Sequence, residues 1–300
     1  MIIQELLISV AIISSLIGQN PLNNEPVSDA TNTDLHAAQT SYKSLANLKA
    51  LARKAALAQD DYFAQQLSKI PLTLRPGTDY RKDSHPTIET TRTCRSIVYQ
   101  TYLQLPSSHT KNLRELTMYY TNDGRRGLGG DGVIILRCLN VDKDELAAVF
   151  THEVGHVVDA SYLTGTQKSG HSGFYDFGKE VPVDDASLSF YKISWNDSKN
   201  LKKSARENDF VSLYAMSDPF EDFAETYMFY RIHGSSFRLL AATNSLLKAK
   251  YDFMKNSVFG GVEYGNNSVI DYSDTAHRQY DATVIPFNLK TFFTTITNAQ

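Results

Sequence analysis

The segment His152-Glu153-Val154-Gly155-His156 combines side chains that can bind a metal ion with one that can move a proton. Residues four apart on an α-helix share a face, so His152 and His156 can each offer an imidazole nitrogen to one zinc ion. Glu153 lies beside them, within reach of a water molecule on that ion, where a carboxylate can act as a general base. The pattern therefore predicts one zinc ion per chain and a hydrolytic site.

A catalytic zinc ion needs a third protein ligand and an open position for water. Asp159, three residues after His156, lies on nearly the same helical face. It is that ligand, an outer carboxylate that supports the site, or a contact at the end of the helix. A stronger candidate lies in the downstream segment YAMSDPFEDFAE, where Glu221 and Glu225 are four residues apart on a mainly apolar helix. Carboxylates on such a face are costly unless a positive group meets them. We predict that Glu221 binds the metal and that Glu225 accepts a hydrogen bond from a ligand histidine.

The same segment has a second interpretation as an ordinary helix start. Asp218 suits the N-cap position and Pro219 the first helical position. In a capping box, Asp218 and Glu221 would each satisfy the backbone amide of the other, and Glu225 would be solvated. The sequence leaves both interpretations open.

The two segments HEVGHVVD and YAMSDPFEDFAE together resemble the zinc peptidase family of anthrax lethal factor and the secreted bacterial Pro-Pro endopeptidases. Tyr214 stands seven residues before Glu221, as the family's oxyanion-stabilising tyrosine does. The resemblance covers Val149–Asp159 and Phe210–Arg231. It implies a zincin-like fold and a zinc metalloendopeptidase that hydrolyses peptide or protein substrates. It also implies a role for five residues: the metal ligands His152, His156 and Glu221, the base Glu153 and the oxyanion donor Tyr214.

Composition excludes several other classes of protein. The chain has 300 residues, 42% of them hydrophobic, and a formal net charge of -3. These values are typical of a folded globular protein and leave no basic excess for binding nucleic acid. The two cysteines, Cys94 and Cys138, are too few for a thiolate zinc site. They form either one disulfide bond or two buried thiols.

The N-terminus predicts export. Leu6–Ile17 carries no charge and is too short to span a bilayer, which takes roughly 20 apolar residues. We interpret residues 1–18 as a signal peptide of a secreted protein, which would contact a membrane only if this segment stayed uncleaved. We then expect a flexible lead-in over 19–32, a helical N-terminal region over 33–70 and the metallopeptidase domain over 71–300.

The pattern of apolar residues predicts an α+β fold with a small mixed β-sheet, an active-site helix and a mainly helical C-terminal part. Branched and aromatic runs predict the strands, and we expect short strands in the C-terminal tail as well. A glycine-rich stretch, Thr121–Gly132, reads as a turn. Helices are predicted over residues 144–163, 218–233 and 237–258. The strands are predicted over Ile97–Leu105, Leu116–Tyr120, Val133–Leu136 and Leu188–Trp195.

Two functions from other classes compete with the peptidase. A catalytically inactive exported protein on a zincin scaffold would hold zinc and a partner without hydrolysis. A structural or adhesive surface protein could contain the histidine pattern by chance and would bind no zinc. The complete set of His, Glu, His, Tyr and Glu favours the enzyme, since a protein that has lost its catalytic activity is expected to lack at least one of these residues.

Overall fold

The computed structural model describes residues 32–69, 73–76, 86–121, 124–167, 169–265 and 278–294. The predicted signal peptide and nearly all of the predicted lead-in lie outside these ranges. Within them, no helix is both long enough and apolar enough to cross a bilayer. The chain divides into two compact units, Met1–Tyr62 and Phe63–Gln300. Most of helix α1, Asn32–Lys69, belongs to the first unit.

The sheet of the second unit has four strands in the order β1, β2, β4, β3. The first three of these are parallel, and β3 lies at one edge, antiparallel to β4. The side chains of Ile134 and Leu136, on alternate positions of β4, are fully buried. The strands predicted near residues 116–120 and 133–136 are confirmed. The strands are β1 Thr73–Pro76, β2 Glu115–Tyr119, β3 Gly127–Gly130 and β4 Val133–Arg137.

Helix α2, Ile88–Leu103, corrects the strand predicted over Ile97–Leu105. Its buried residues Cys94, Ile97, Val98 and Thr101 are spaced three and four apart, as on one face of a helix. This periodicity outweighs the strand propensity of the branched and aromatic residues around it. Cys94 forms a disulfide bond with Cys138, at the end of β4, which decides between the two predicted thiol states.

The helices that carry the predicted site pack against each other and the sheet. The helix prediction from residue 144 is confirmed by α4, Lys143–Val157, which continues as a π-helical turn, Val158–Tyr162. The prediction from 218 is confirmed by α6, Pro219–Ile232. Helix α4 contacts β3 on one side and α6 on the other. Shorter helices complete this part of the unit: α3 Ser107–Thr110, α5 Leu188–Ser194, α7 Gly234–Thr243, α8 Ser245–Phe253 and α9 Leu289–Thr294.

Three further predictions are corrected. The run Leu188–Trp195 is helical over α5, because Leu188, Tyr191 and Ser194 are buried at a spacing of three. The helix predicted over 237–258 is divided between α7 and α8, since the Asn244 side chain caps the start of α8. In the described part of the tail, a 3₁₀ turn, Ala282–Val284, and α9 replace the predicted strands. The architecture remains α+β, with a small mixed sheet and a mainly helical C-terminal part.

His109, on α3, predicts how stability changes with pH. Its Nε2–H donates to Val258 O at 2.9 Å, and its Nδ1 accepts from Tyr227 Oη at 2.8 Å, so the neutral ring is satisfied. Burial lowers the pKa of His109 from 6.5 to about 4. Between these two pH values the His109 side chain is protonated in the unfolded chain but not in the folded chain. The free energy of unfolding therefore decreases as pH falls from 6.5 towards 4.

We expect the wild type to lose about 2 kcal/mol of unfolding free energy through His109 between pH 7 and pH 5. Urea unfolding at both pH values measures this loss. His109→Gln should be less stable at pH 7 but should show a smaller loss. Burial also lowers the pKa of His233, to about 3, and its contribution is common to both proteins. An equal loss in the variant would assign the pH dependence to other groups.

Candidate metal centre

Helices α4 and α6 approach closely at a glycine inside the histidine motif. A Cβ atom on Gly155 would lie 3.0 Å from Ala224 Cα and 3.3 Å from Ala224 O. Any larger residue would therefore push the helices apart. The Asp218 Oδ1 atom caps the start of α6 by accepting from Phe220 N and Glu221 N, each at 2.9 Å. The close contact and the cap fix where α6 begins relative to α4.

This arrangement brings together His152, His156 and Glu221. The Oε2 atom of Glu221 lies 3.2 Å from His152 Nε2 and 3.3 Å from His156 Nε2. One ligand atom from each residue lies within 4.8 Å of the others. Ligand atoms at about 2.0–2.1 Å around a tetrahedral zinc ion are roughly 3.3 Å apart, so the three side chains fit such an ion. Among the described residues, this is the one cluster of three or more His, Cys, Asp or Glu side chains that meets this criterion.

The chemistry of the three side chains also fits a cation. The Glu221 Oε2 atom is buried and has no hydrogen bond of normal geometry. Burial alone would raise the pKa of Glu221, but the His152 and His156 imidazoles hold it well below its usual range. The carboxylate is therefore ionised and faces two ring nitrogens. A zinc ion would take the place of the imidazole protons and would satisfy this oxygen and both ring nitrogens at once.

Glu225, one helical turn after Glu221, orients His152 from behind. Its Oε1 atom lies 2.8 Å from His152 Nδ1. This contact leaves the other ring nitrogen, Nε2, available to a metal ion. The second oxygen of Glu225 accepts from Ser212 Oγ at 2.6 Å and from Ala282 N at 2.8 Å. Glu225 is fully buried, so it is not solvated as the capping-box interpretation predicts. Of that predicted capping box, only the hydrogen bonds to the Asp218 side chain form.

Glu153 lies between the metal ligands and the edge strand β3. It is 5% exposed, and its Oε2 atom has no hydrogen-bond partner. Burial raises the pKa of Glu153, and the charges of His152 and His156 oppose this effect. Gly127 and Gly129 leave the space that Glu153 occupies. A Cβ atom on Gly127 would lie 2.1 Å from Glu153 Oε1, and a Cβ atom on Gly129 would lie 2.5 Å from Glu153 O. The glycines are strand residues with a steric role, which corrects their assignment to a turn.

Tyr214 lies beside the ligands in a 3₁₀ turn, Tyr214–Met216. Its hydroxyl donates to Glu221 Oε1 at 3.0 Å. Burial raises the pKa of Tyr214, and the nearby Glu221 charge raises it further. The hydroxyl is therefore protonated near neutral pH and remains a hydrogen-bond donor at the site.

Asp159 lies in the π-helical turn and does not belong to the metal-binding cluster. Its Oδ2 atom accepts from Tyr191 Oη at 2.6 Å. Burial raises the pKa of Asp159 to about 7, while Ser187 and Tyr191 oppose the shift. Asp159 lines the same cleft as His152 and His156, and its role as an outer carboxylate stays a prediction.

The C-terminal segment also reaches the site, which the sequence analysis missed. Tyr280 O accepts from Tyr214 N at 2.6 Å, and Ala282 N contacts Glu225 as described above. Arg126, next to β3, forms ion pairs with Asp281 and with Glu145 of α4. No local pattern predicts these contacts. Except for the Arg126–Glu145 pair, they join residues that are separated by more than fifty positions in the sequence. The spacing Gly127-x-Gly129 is the one signal that was present, since it places two glycines on the same face of a strand.

The three candidate metal ligands, together with Glu153 and Tyr214, line one cleft with a volume of about 1150 Å³. Residues 140–283 match the model of the family described as "Putative zinc-binding metallo-peptidase". The matched region is a little under half of the chain and includes α4, α6 and every predicted site residue. The match supports a zinc metallopeptidase and, with the geometry, a zinc ion as the metal.

No curated protein and no solved structure matches the chain. The narrower resemblance to lethal factor and the Pro-Pro endopeptidases therefore stays a prediction, as does the zincin-like fold. The site itself can bind a divalent cation, hold a carboxylate next to it and present a hydroxyl donor. Metal-assisted hydrolysis of an amide bond can use all three of these groups.

Proposed function

We propose that the protein is a zinc-dependent endopeptidase with a zincin-like fold. The observation that carries the proposal is the convergence of three ligand atoms beside a buried carboxylate oxygen that has no hydrogen-bond partner. His152 Nε2, His156 Nε2 and Glu221 Oε2 would hold the metal, and Glu153 Oε2 would act next to it. A site that only stored or transported zinc would not need this oxygen.

Glu153 is the proposed general base and acid. When bound, zinc polarises the scissile carbonyl and lowers the pKa of a water molecule to about 7. The Glu153 carboxylate accepts the proton of the attacking water and then passes it to the leaving nitrogen. Its raised pKa favours the first of these two transfers, because burial makes the protonated form less costly. Tyr214 donates a hydrogen bond to the oxyanion that develops on the carbonyl oxygen.

The edge strand supports a peptide as the substrate. In the described part of the chain, β3 pairs only with β4, and its residues line the same cleft as Glu153. The outer edge of such a strand can hydrogen-bond to an extended peptide backbone. The Cys94–Cys138 disulfide supports the further proposal that the protein is exported, because such bonds persist in oxidising compartments.

The test is zinc-dependent cleavage of a peptide library. The full-length protein is loaded with zinc, incubated with peptides from a proteome digest and assayed for new termini by mass spectrometry. We expect internal cleavages that disappear on chelation and return when zinc is restored. Bound zinc without cleavage of any peptide would favour the inactive binding protein. Absence of bound zinc would favour the structural or adhesive surface protein.

Tyr214→Phe separates catalysis from metal binding. We expect kcat to fall about a hundredfold, because one donor to the oxyanion is lost. The zinc content of the purified protein should stay close to that of the wild type. Tyr175→Phe removes an exposed hydroxyl outside the cleft and should leave kcat unchanged. Parallel losses of zinc and kcat in Tyr214→Phe would instead show that the hydroxyl supports Glu221.

A further inference from the structure

A two-residue hairpin turn carries an exposed aromatic residue in an unfavourable backbone conformation. Strands β5, Tyr175–Asp176, and β6, Lys179–Glu180, are antiparallel and are joined by Phe177 and Gly178. The φ angles are +44° at Phe177 and +80° at Gly178. Positive φ at both central positions is typical of a type I′ turn, where Asn-Gly and Asp-Gly are preferred. A bulky residue with positive φ is an outlier that needs a reason.

Packing does not supply that reason, because Phe177 is 88% exposed. The hairpin is held in place by backbone and carboxylate contacts instead. Glu180 Oε1 accepts from Ser172 N at 2.9 Å and from Gly173 N at 3.2 Å. Ser198 Oγ donates to Tyr175 O at 3.0 Å. The turn is therefore positioned without any contribution from the Phe177 ring.

Phe177 belongs to the lining of the cleft that contains the metal ligands and Glu153. Its neighbour Asp176 lines the same cleft. Two other exposed apolar groups line the same cleft, Tyr280 at 70% and Leu128 at 39% exposure. An exposed aromatic ring that lines a cleft with other exposed apolar groups gains free energy when an apolar ligand covers it.

We propose that Phe177 is a specificity residue that packs over an apolar side chain of the peptide bound in the cleft. The inference rests on the proposed peptidase function. The unfavourable turn conformation is kept because it presents the ring to the substrate. Phe177 should then be dispensable for folding, and a better turn residue at this position should weaken substrate selection while the turn itself becomes more stable.

The experiment compares zinc-loaded wild type with Phe177→Asn. The best substrate from the peptide library is synthesised, together with versions in which each apolar residue near the scissile bond is replaced by serine. We expect Phe177→Asn to lower kcat/KM for the apolar peptide about tenfold and to reduce the preference over one serine peptide by the same factor. Its zinc content should be unchanged, and its Tm should be equal to or above that of the wild type.

Tyr175→Asn is the matched control, because this exposed aromatic belongs to the same hairpin but not to the cleft lining. It should keep the wild-type preference. An unchanged preference in Phe177→Asn would overturn the inference and leave the peptidase function intact. A lower Tm of Phe177→Asn with an equal loss of kcat/KM on all peptides would also overturn the inference, because it would indicate a structural role for Phe177.

If the wild type cleaves no peptide, the proposed function fails and binding becomes the deciding measurement. Peptides from the same library are then captured on the zinc-loaded protein and on zinc-loaded Phe177→Asn. Apolar enrichment that depends on Phe177 would support its role in binding. Equal enrichment on both proteins would overturn it.

Discussion

Glu153→Gln is expected to lower kcat for peptide cleavage about a thousandfold while the protein keeps its zinc ion. Glutamine has nearly the same shape as glutamate and fits the space beside Gly127 and Gly129. It cannot accept the proton of the attacking water. Glu153 is not one of the ligand residues His152, His156 and Glu221, so zinc binding should not depend on it. Single-turnover cleavage and metal analysis of the same sample measure both effects.

The same substitution should raise the thermal stability of the metal-free protein. Burial raises the pKa of Glu153, and its Oε2 atom has no hydrogen-bond partner, so the carboxylate destabilises the folded state. An amide in its place removes the charge. A matched control is Asp144→Asn, in the first turn of the same helix, which should change neither activity nor Tm strongly. Wild-type activity in Glu153→Gln would show that another group moves the proton.

Lys250→Met is expected to cause the largest loss of stability. Lys250 Nζ on α8 lies 2.8 Å from Asp222 Oδ2 on α6, and both side chains are fully buried. Asp222 also accepts from Trp195 Nε1 at 3.1 Å, and Lys250 Nζ lies 3.7 Å from the centre of the Phe210 ring. Removing the ammonium leaves the Asp222 carboxylate buried without its counter-charge, which costs about 3–5 kcal/mol. Urea unfolding measures the loss.

Two further variants distinguish the buried ion pair from ordinary packing. The double variant Lys250→Met, Asp222→Leu removes both charges and should recover most of the lost stability, because neither charge is left unpaired. Lys248→Met removes a lysine of the same helix whose ion pair with Asp252 is exposed. It should cost less than about 1 kcal/mol. A Lys250→Met protein as stable as Lys248→Met would show that the buried pair contributes little.

The Lys250–Asp222 pair also affects the site. Asp222 follows Glu221 directly on α6, so the ion pair fixes the part of α6 that carries Glu221. The proposed metal ligand Glu221 and its neighbour in sequence, Asp222, contact different residues, His152 and Lys250 respectively. The sequence DPFEDFAE contains both, and its spacing alone does not show which carboxylate meets a metal and which meets a lysine 28 positions away.

The parts of the site that were predictable depend on local rules. Helical spacing places His152 and His156 on one face, and the Asp218-Pro219 pair marks where α6 begins. These rules also place Glu221 and Glu225 one turn apart, and the structure brings both to the histidines. A charged residue on an apolar helix needs a partner, and that requirement made both residues candidates.

The parts that were not predictable depend on contacts distant in sequence. Ser212 and Ala282 hold Glu225 from two loops whose sequences contain no metal-site motif. The glycine-rich strand β3 has no side-chain pattern typical of strands, so the sequence predicts a turn there. The segments Ile97–Leu105 and Leu188–Trp195 have strand-forming residues but are held as helices by burial at three- and four-residue spacing. Tertiary packing decided these elements.

The most direct test of the metal centre is the zinc content of the purified, folded protein, measured by mass spectrometry of the metal alongside circular dichroism. Wild type loaded with zinc and freed of excess metal should hold one zinc ion per chain. Glu221→Ala should hold far less under the same conditions, because it removes one of the three ligands. A folded wild-type protein that retains no zinc, or a Glu221→Ala variant that retains as much as the wild type, would contradict the proposed metal centre.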